Sequence, residues 1–478
     1  MLFFFKKYWI LMLACMLFLL FGIYNLDKQY PFNGDSARDT LKSLRILYTK
    51  DITIIGPPLS LGLNTMRETY FSSLIYYLTA GMLLISNNSI LAPVFLMTLI
   101  NATGIIPLYL MLKKRKLKLS EIVLLLTLYV TSPEIISYSR ILWNPSPLIG
   151  LSVWGIYTLN KSAIIFGIVA GVCIYFHYFA VLLLLFGIMY YWNNKQSKNI
   201  LYAIISFIVI LSPFIFFEIK NKFYLTTSFI YNLQNFHTET VLSQKLHILL
   251  NIPTQLLGLV NNPFTTKIIH LGGISASIGL IIWIILIYTN RKNIYFILFI
   301  IAALFTVIAS KEVVGTQYLF IAIGALIAYC INIKSQVAKI VLGFIICIQI
   351  VNTIYIINTD VRTKNEYGFP TIAQLEQTNQ QIQQLHTYGS TFNVTENVEG
   401  DARALYIRYF LERDNVVGLQ NETQYENLDE LYILTPSLEK TLKEKRWEFT
   451  ATSSLVKTHE IPIGTFTLLR YQYVEPIY

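Results

Sequence analysis

The segment "NGDSARDTLKSLRIL", residues 33 to 47, places two carboxylates and two guanidinium groups within eleven positions of a chain otherwise poor in charge. In a helix, Asp35 and Asp39 would share one face at i and i+4, with Arg38 and Arg45 one register away. Two carboxylates on one face repel each other unless an arginine or a metal ion lies between them. The spacing indicates a charged site, and a helix start capped by Asp35 is the alternative.

The composition is typical of an integral membrane protein, because 54% of the 478 residues are hydrophobic and 13% are charged. The residues up to Val361 include 26 basic and 11 acidic side chains, whereas the remaining 117 include 11 basic and 16 acidic ones. This asymmetry predicts a membrane body with basic loops and a mildly acidic, water-soluble tail. We expect no nucleic-acid partner, because the basic residues are spread over short loops.

Apolar runs long enough to cross a bilayer predict eleven transmembrane helices. They lie at about 8–24, 91–112, 120–137, 145–160, 162–176, 178–192, 200–217, 269–289, 294–309, 316–332 and 338–357. With the N-terminus inside the cell, basic segments such as "KKRKLK" (113–118) all fall in inner loops, as the positive-inside rule requires. The chain is therefore predicted to be a multi-pass protein of the cytoplasmic membrane with its C-terminal domain outside.

The predicted fold is mainly α-helical and polytopic, with a small extracytoplasmic α/β domain at the C-terminus. Residues 1–357 form the membrane domain, which includes a first outer loop at 25–90; 358–370 form a polar linker, and 371–478 form the soluble domain. In this tail, 371–389 and 401–414 are predicted helices, and 430–435 and 465–473 are predicted strands. The run 70–85 is interpreted as a helix at the outer interface, with a twelfth span as the alternative.

Ionisable residues are nearly absent from the middle of the predicted spans and gather at their outer ends. Charge at mid-depth usually marks an ion or proton path, so its absence argues against an ion-coupled transporter. A cluster at the outer mouth indicates chemistry on a substrate presented there. A polysaccharide or lipid transporter and a non-catalytic membrane scaffold are the alternatives from other functional classes.

A first span followed by an outer loop with an acid and, three positions later, an arginine resembles the GT-C glycosyltransferases. The similarity is greatest to the branch of the protein O-mannosyltransferases and the bacterial aminoarabinose transferase of lipid A. Relatives in that branch read D-x-A-R-D, which matches Asp35, Ala37, Arg38 and Asp39. Further similar segments are "GPP" (56–58), "YYL" (76–78), "SRILWNPSPL" (139–148), "LSPFIFFEIKNKF" (211–223) and "QYLFIAIGAL" (317–326).

The chain also departs from the better-known members of this superfamily. Those members carry adjacent Asp and Glu residues, whereas Ser36 follows Asp35 here. Later in the first outer loop they carry a Lys-Pro-Pro or His-Gly-Pro element, where this chain reads "MRETYFSS" (66–73). Arg67 and Glu68 of this segment are candidates for contacts with the sugar or the acceptor.

The resemblance implies an inverting transfer of a sugar from a polyprenyl-phosphate donor to an acceptor hydroxyl on the outer face of the membrane. Asp35 matches the first acid of the motif and is the implied general base. Arg38, Arg140 and Lys311 are the candidate donors of hydrogen bonds to the departing phosphate. Asp39 is expected to orient Arg38 or the acceptor, with a divalent metal ligand as the other interpretation.

Several partners stay open at the level of sequence. A divalent cation, Mg²⁺ or Mn²⁺, is a possible cofactor of such enzymes, and no ligand spacing here decides for or against it. His177 is a candidate for contact with the sugar, with a structural hydrogen-bonding role as the alternative. Trp143 is a candidate for stacking on sugar or prenyl chain, although aromatic residues at span ends are common membrane anchors. The acceptor is a lipid, a protein or a glycan, and membrane lipids surround the body of the protein.

Overall fold

The computed structural model describes residues 2–30, 32, 34–58, 68–234, 242–259, 272–309, 316–358, 369–398, 403–437, 447–451 and 455–473. Its first half contains α1 (Leu2–Ile23), α2 (Leu26–Gln29), α3 (Gly34–Thr49), β1 (Ile55–Pro58), β2 (Tyr70–Ser72), α4 (Leu74–Ile85), α5 (Leu91–Thr103), α6 (Ile105–Lys114), α7 (Leu119–Val130), α8 (Pro133–Ser139), α9 (Leu148–Leu159), α10 (Ala163–Phe176), α11 (Val181–Asn193), α12 (Ser197–Lys220) and α13 (Tyr224–Gln234).

The second half continues with helices and ends in a mixed α/β region. It contains α14 (Leu242–Leu256), α15 (Gly272–Asn290), α16 (Ile294–Ala309), α17 (Phe320–Ala325), α18 (Gln336–Asn358), α19 (Ile372–Leu385), β3 (Phe392–Glu396), α20 (Leu405–Arg413), β4 (Glu430–Thr435), α21 (Trp447–Thr450), β5 (Val456–Ile463) and β6 (Phe466–Gln472). The chain is thus mainly helical with small sheets, as the sequence predicted.

Contacts divide the chain into two compact units. Unit 1 comprises residues 1–24, 53–75 and 94–357, and unit 2 comprises 25–52, 76–93 and 358–478. One boundary between the units falls after residue 357, and 25–52 and 76–93 cluster with the C-terminal residues in unit 2. The domain bounds predicted from the sequence, with 1–357 as the membrane domain, stay predictions.

Within the described residues, helices lie in each of the eleven apolar runs that the sequence predicted to be spans. In this part of the chain, three helical segments are long and apolar enough to cross a membrane: Leu91–Lys114, which is made of α5 and α6, Ser197–Lys220 and Gln336–Asn358. The pair α7 and α8, bent by 49°, would make a fourth. The number of crossings and the orientation of the termini stay predictions. The run 70–85 folds as β2 followed by α4, one of the shorter apolar helices, and both of its interpretations stay open.

The bend between α7 and α8 follows from the sequence "TSPE". Pro133 occupies the first turn of α8, where its missing N–H costs no hydrogen bond. Ser132 precedes it as the N-cap, and its hydroxyl accepts a hydrogen bond from the Ile135 N–H at 3.4 Å. The chain therefore stops one helix and starts the next within this predicted span.

In unit 1, α10 and α12 pack closely because α10 carries two glycines four positions apart. A Cβ atom at Gly167 would lie 2.1 Å from Ser206 Oγ and 2.2 Å from Ala203 O. A Cβ atom at Gly171 would lie 2.9 Å from Ile210 Cβ. Small residues at this spacing allow two helix backbones to approach, which is a common packing mode inside membranes.

Unit 2 contains a four-stranded sheet with the strand order β3-β4-β6-β5. Strands β3 and β4 are parallel and are connected through α20, whereas β4 with β6 and β6 with β5 are antiparallel. Buried residues on the sheet and its connections form an apolar core, namely Tyr425, Leu428, Leu431, Ile433, Leu455 and Leu469. The two helices and two strands predicted for the tail are present.

Candidate active site

Helix α3 carries the two aspartates and two arginines of the segment 35–45. Its small and apolar side chains, Ala37, Leu41 and Leu44, are buried and hold one face of the helix in unit 2. Asp35 lies in the first turn with its side chain 54% exposed, whereas Asp39, one turn later, is 1% exposed. The two carboxylates predicted to share a face therefore differ sharply in their access to water.

Arg38 lies between the two carboxylates. Its Nη1 donates to Asp35 Oδ1 at 2.8 Å, and its Nε donates to Asp39 Oδ1 at 2.8 Å. Charge-assisted hydrogen bonds of this kind are stronger than neutral ones. Of the two ways in which the sequence allowed the carboxylates to coexist, an arginine or a metal, the structure shows the arginine.

Burial distinguishes Asp39 from Asp35. Loss of solvation raises the pKa of the Asp39 carboxyl to about 6, against the opposing effect of Arg38. Tyr76, at the start of the "YYL" segment, also hydrogen-bonds Arg38 and is 4% exposed. The segment 76–78 is one of those that resemble the family, but Tyr76 was not predicted from the sequence to be a site residue.

The second half of α3 is anchored to the C-terminal part of unit 2. Arg45 forms a two-point ion pair with Glu412, from Nε to Oε2 at 2.9 Å and from Nη2 to Oε1 at 2.5 Å. Its Nη1 lies 2.8 Å from Glu422 Oε1. The ring of Phe32, just before α3, contacts the ring of Tyr409 edge-on at 5.6 Å. Arg45 therefore positions the helix that carries Asp35.

Arg140, in unit 1, follows α8 and is 5% exposed. Its Nη1 donates to the carbonyl oxygens of Phe21 and Tyr24, each at 2.8 Å, and of Gly22 at 3.2 Å. The guanidinium thus binds the unpaired carbonyls at the C-terminal end of α1, where a positive charge is stabilising. Its Nη2 is buried and has no hydrogen-bond partner in the described part of the chain.

The segment "SRILWNPSPL" that contains Arg140 is held by polar side chains of α5. Thr98 Oγ1 donates to Ser139 O at 2.8 Å. Asn101 Nδ2 donates to Ser139 Oγ at 2.9 Å and to Ser146 O at 3.0 Å, and its Oδ1 accepts from the Gly150 N–H at 2.9 Å. Because Asn101 is fully buried, these bonds fix the segment without competition from water.

His177 lies within an aromatic cluster of unit 1. Its ring centroid is 4.9 Å from that of Phe71, 4.6 Å from that of Phe179 and 6.0 Å from that of Tyr318. Its Nδ1 accepts a hydrogen bond from the Phe179 N–H at 3.4 Å. Packing and this hydrogen bond account for the histidine structurally, and its contact with a sugar stays a prediction.

Trp143 also packs with aromatic neighbours, since its ring stacks on that of Tyr138 at 5.6 Å. Glu68, in unit 1, is exposed and accepts a hydrogen bond from the Tyr70 hydroxyl. Arg67 and Lys311, predicted to contact substrate and donor phosphate, lie outside the described residues. The roles assigned to these four side chains stay predictions.

The possible divalent cation finds no ready set of ligands in the part of the chain that the structure describes. These residues include no group of three or more His, Cys, Asp or Glu side chains that could hold a metal. Between Asp35 and Asp39, Arg38 stands where a shared cation would have to lie. The carboxylates as arranged fit an arginine, and a divalent cation as cofactor stays a prediction.

Comparison with known proteins gives one solved structure of similar fold. No family model matches the sequence, and no curated protein matches it. ArnT from Cupriavidus metallidurans, in the apo state, superimposes with a TM-score of 0.59 over 98% of this chain and 97% of that chain, at 10% sequence identity. The resemblance stated from the sequence is confirmed at the level of fold. The chain therefore has the same overall fold as ArnT.

Proposed function

We propose that this protein is an inverting glycosyltransferase that moves a sugar from a polyprenyl-phosphate donor to an acceptor hydroxyl. The reaction would take place on the outer face of the cytoplasmic membrane. The observation that carries the proposal is the arrangement of Asp35, Arg38 and Asp39 at the start of α3, on a chain with the ArnT fold. An exposed carboxylate held by a fixed guanidinium is suited to act on a substrate that arrives from outside.

Asp35 is the proposed general base. Its Oδ1 accepts from Arg38, and no hydrogen bond to its Oδ2 is seen among the described residues. Oδ2 can therefore take the proton of the acceptor hydroxyl, whose pKa lies far above neutrality. The acceptor oxygen bonds to the anomeric carbon as the bond from that carbon to the phosphate oxygen breaks, so the sugar centre inverts.

The electron pair of the broken bond leaves with the phosphate, and the products are prenyl phosphate and the glycosylated acceptor. Negative charge grows on the leaving phosphate, and fixed cations stabilise it without reorganisation. Arg38 is the candidate that binds the base directly, and Arg140 and Lys311 stay predicted donors to the phosphate. The unpaired Nη2 of Arg140 supports its assignment, since a buried donor without a partner is costly unless a ligand satisfies it.

Asp39 is proposed to orient Arg38. Its buried carboxylate holds Nε of the guanidinium, so that Nη1 points to Asp35. The ionised form of Asp39 gives the stronger hydrogen bond. Asp39 is thus a positioning residue, and Asp35 is the residue that touches the reacting atoms.

A release assay tests the proposal. The full chain, purified in detergent, would be incubated with prenyl phosphates that carry hexoses or pentoses, and with membrane lipid, peptide or glycan acceptors. We expect prenyl phosphate to be released only when an acceptor is present. Movement of the lipid-linked sugar across a proteoliposome membrane without release would instead support the transporter alternative, and no effect of any kind would support the scaffold.

A further inference from the structure

A polar cleft in unit 2 lies beside the C-terminal half of α3, apart from the charged cluster at its N-terminal end. The cleft has a volume of about 580 Å³, within the usual range of ligand sites. Its lining combines Arg45 and Tyr48 of α3 with Arg408 of α20 and with Asn415, Val416 and Asn421 of the loop that follows. Neither the sequence motifs nor the proposed chemistry assigns it a role.

The charges around the cleft are already neutralised or fully engaged. All three guanidinium nitrogens of Arg45 are engaged, Nε and Nη2 with Glu412 and Nη1 with Glu422. Arg408 is 1% exposed and donates inward, to Arg403 O and Gln420 O at 2.8 Å each and to Asn393 Oδ1. A phosphate or a polyanion would therefore find no free guanidinium here, and the cleft suits a neutral ligand.

The groups of the cleft that can meet a ligand are the Asn415 amide, the NH2 group of Asn421 and a phenol ring, since Asn421 Oδ1 already accepts from the Glu422 N–H at 2.7 Å. Asn415 and Asn421 are exposed, and Tyr48 is 48% exposed. Amide side chains both donate and accept hydrogen bonds, which matches the hydroxyl groups of a sugar. An aromatic residue adds a large, rigid contact surface with a polar tip. This combination favours a carbohydrate over an apolar ligand or an anionic one.

We propose that this cleft binds the neutral carbohydrate part of the acceptor. Tyr48 and Asp35 lie on the same helix, 13 positions apart, which corresponds to about 20 Å along its axis. An acceptor glycan of a few sugar units could rest in the cleft while its terminal hydroxyl reaches the base. The identity of the ligand as acceptor rests on the proposed function, but binding of carbohydrate to the cleft does not.

The ion pairs around Arg45 give the cleft a defined shape. The two-point contact with Glu412 ties α3 to α20, and the Tyr48 hydroxyl donates to Arg413 O at 3.4 Å. The α20 side of the cleft and helix α3, which carries Asp35, are therefore held together within unit 2. A sugar seated against this wall would be held at a fixed distance from Asp35, which is what positioning of an acceptor requires.

Binding to the full chain in detergent tests the inference directly. The probes are neutral tetrasaccharides of glucose, of mannose and of N-acetylglucosamine, with a neutral tetrapeptide and inositol hexaphosphate as competitors of other chemistry. We expect at least one tetrasaccharide to bind, and Tyr48→Ala to weaken it about fivefold or more, the factor that corresponds to one lost contact. Tyr48→Phe, which keeps the ring, should weaken it less, and Tyr388→Ala, at a tyrosine 93% exposed outside the cleft, should not.

A blocking variant guards against a purely structural effect of Tyr48→Ala. Val416→Trp fills the cleft, whereas Val417→Trp, at the neighbouring exposed residue that does not line it, is the matched control. The inference is overturned if no tetrasaccharide binds, if the peptide or the polyanion binds in their place, or if Val416→Trp binds as the wild type does.

Two readouts separate this inference from the proposed function. Asp35→Asn should bind the tetrasaccharide as the wild type does, even though it should release no prenyl phosphate. If release is never seen but the cleft variants still lose binding, the cleft stands as a carbohydrate site and the glycosyltransferase proposal fails. If release is seen and Val416→Trp leaves the KM for the acceptor unchanged, the cleft inference fails alone.

Discussion

Arg38 Nε donates to Asp39 Oδ1 at 2.8 Å, and the carboxylate that receives this bond is 1% exposed. The other side of the same guanidinium holds the exposed Asp35 through Nη1, also at 2.8 Å. Asp39 is thus placed to orient the arginine, and the arginine is placed to orient Asp35. This order of contacts, from the buried Asp39 through Arg38 to the exposed Asp35, predicts how substitutions at these three residues affect activity.

The first prediction concerns the fork of Arg38. In Arg38→Lys the single ammonium cannot bind both carboxylates in the same geometry. We expect kcat/KM for prenyl phosphate release to fall about 10- to 100-fold, as for the loss of one hydrogen bond between charged groups. Lys42→Ala, on the exposed face of the same helix, is the control and should retain the wild-type value. An Arg38→Lys protein with full activity would show that the two-point contact is dispensable.

The second prediction follows from the raised pKa of Asp39, which is about 6. Below this pH the carboxyl gains a proton and its hydrogen bond to Arg38 weakens, so activity should fall as the pH drops through about 6. In Asp39→Asn this step in the pH profile should disappear, with lower activity at all pH values. Asp51→Asn, at an exposed aspartate, should keep the wild-type profile. If the activity of Asp39→Asn still falls as the pH drops through about 6, another group is responsible for that fall.

The third prediction concerns the packing of α10 on α12. Gly167→Ala introduces a Cβ atom within 2.2 Å of the Ala203 carbonyl oxygen, so the helices must move apart. We expect the free energy of unfolding to decrease by about 1–3 kcal/mol, as for other overpacked sites. Gly343→Ala, in α18 with no atom within 4 Å of the new methyl group, is the control. Thermal unfolding in detergent should show a lower melting temperature for Gly167→Ala and no decrease for Gly343→Ala.

The fourth prediction concerns the buried Glu430 in the sheet of unit 2. Burial opposes its charge, but hydrogen bonds from Tyr432, Arg470 and Thr387 outweigh it and lower the pKa of Glu430 to about 2. The pKa of Glu430 in the folded protein therefore lies below the ordinary glutamate value of 4.5. This carboxylate therefore stabilises the fold fully above pH 4.5, and its contribution is lost as the pH falls towards 2.

Glu430→Gln removes that charge and leaves Arg470 without its buried partner. We expect a loss of about 3–5 kcal/mol in the free energy of unfolding at neutral pH, as for other broken buried ion pairs. The melting temperature of the variant should also depend less on pH between 2 and about 4.5. Glu426→Gln, at an exposed residue, serves as the control. Equal pH dependence in wild type and Glu430→Gln would rule out Glu430 as the titrating group.

Patterns local in sequence predicted much of the fold. The hydrophobic runs predicted where helices lie, and the i, i+4 spacing of Asp35 and Asp39 indicated a shared face if their segment were helical, because both signals depend only on neighbouring residues. The strand "ELYILT" was predicted at the residues that form β4. An arginine between the two carboxylates was one of the two arrangements that the sequence predicted, because two carboxylates on one face repel each other unless a positive charge lies between them.

The remaining features depend on packing between distant segments. The burial of Asp39 and the contact of Tyr76 with Arg38 require α3 and α4 to be folded together, and no single stretch encodes this. The two glycines of α10 could have been found from their spacing of four, which is a known packing signal in apolar helices. Arg140 was proposed as a site residue from its position at a span end. Its contacts with the end of α1 could not be predicted in this way, because the two segments are distant in sequence.

The most direct measurement of the central claim is the rate of prenyl phosphate release by Asp35→Asn. The amide keeps the size of the side chain but cannot accept the proton, so kcat should fall by about 100- to 10,000-fold, the usual contribution of a general base. The melting temperature should stay close to that of the wild type, because Asp35 is 54% exposed. Release at the wild-type rate by a folded Asp35→Asn protein would contradict the account.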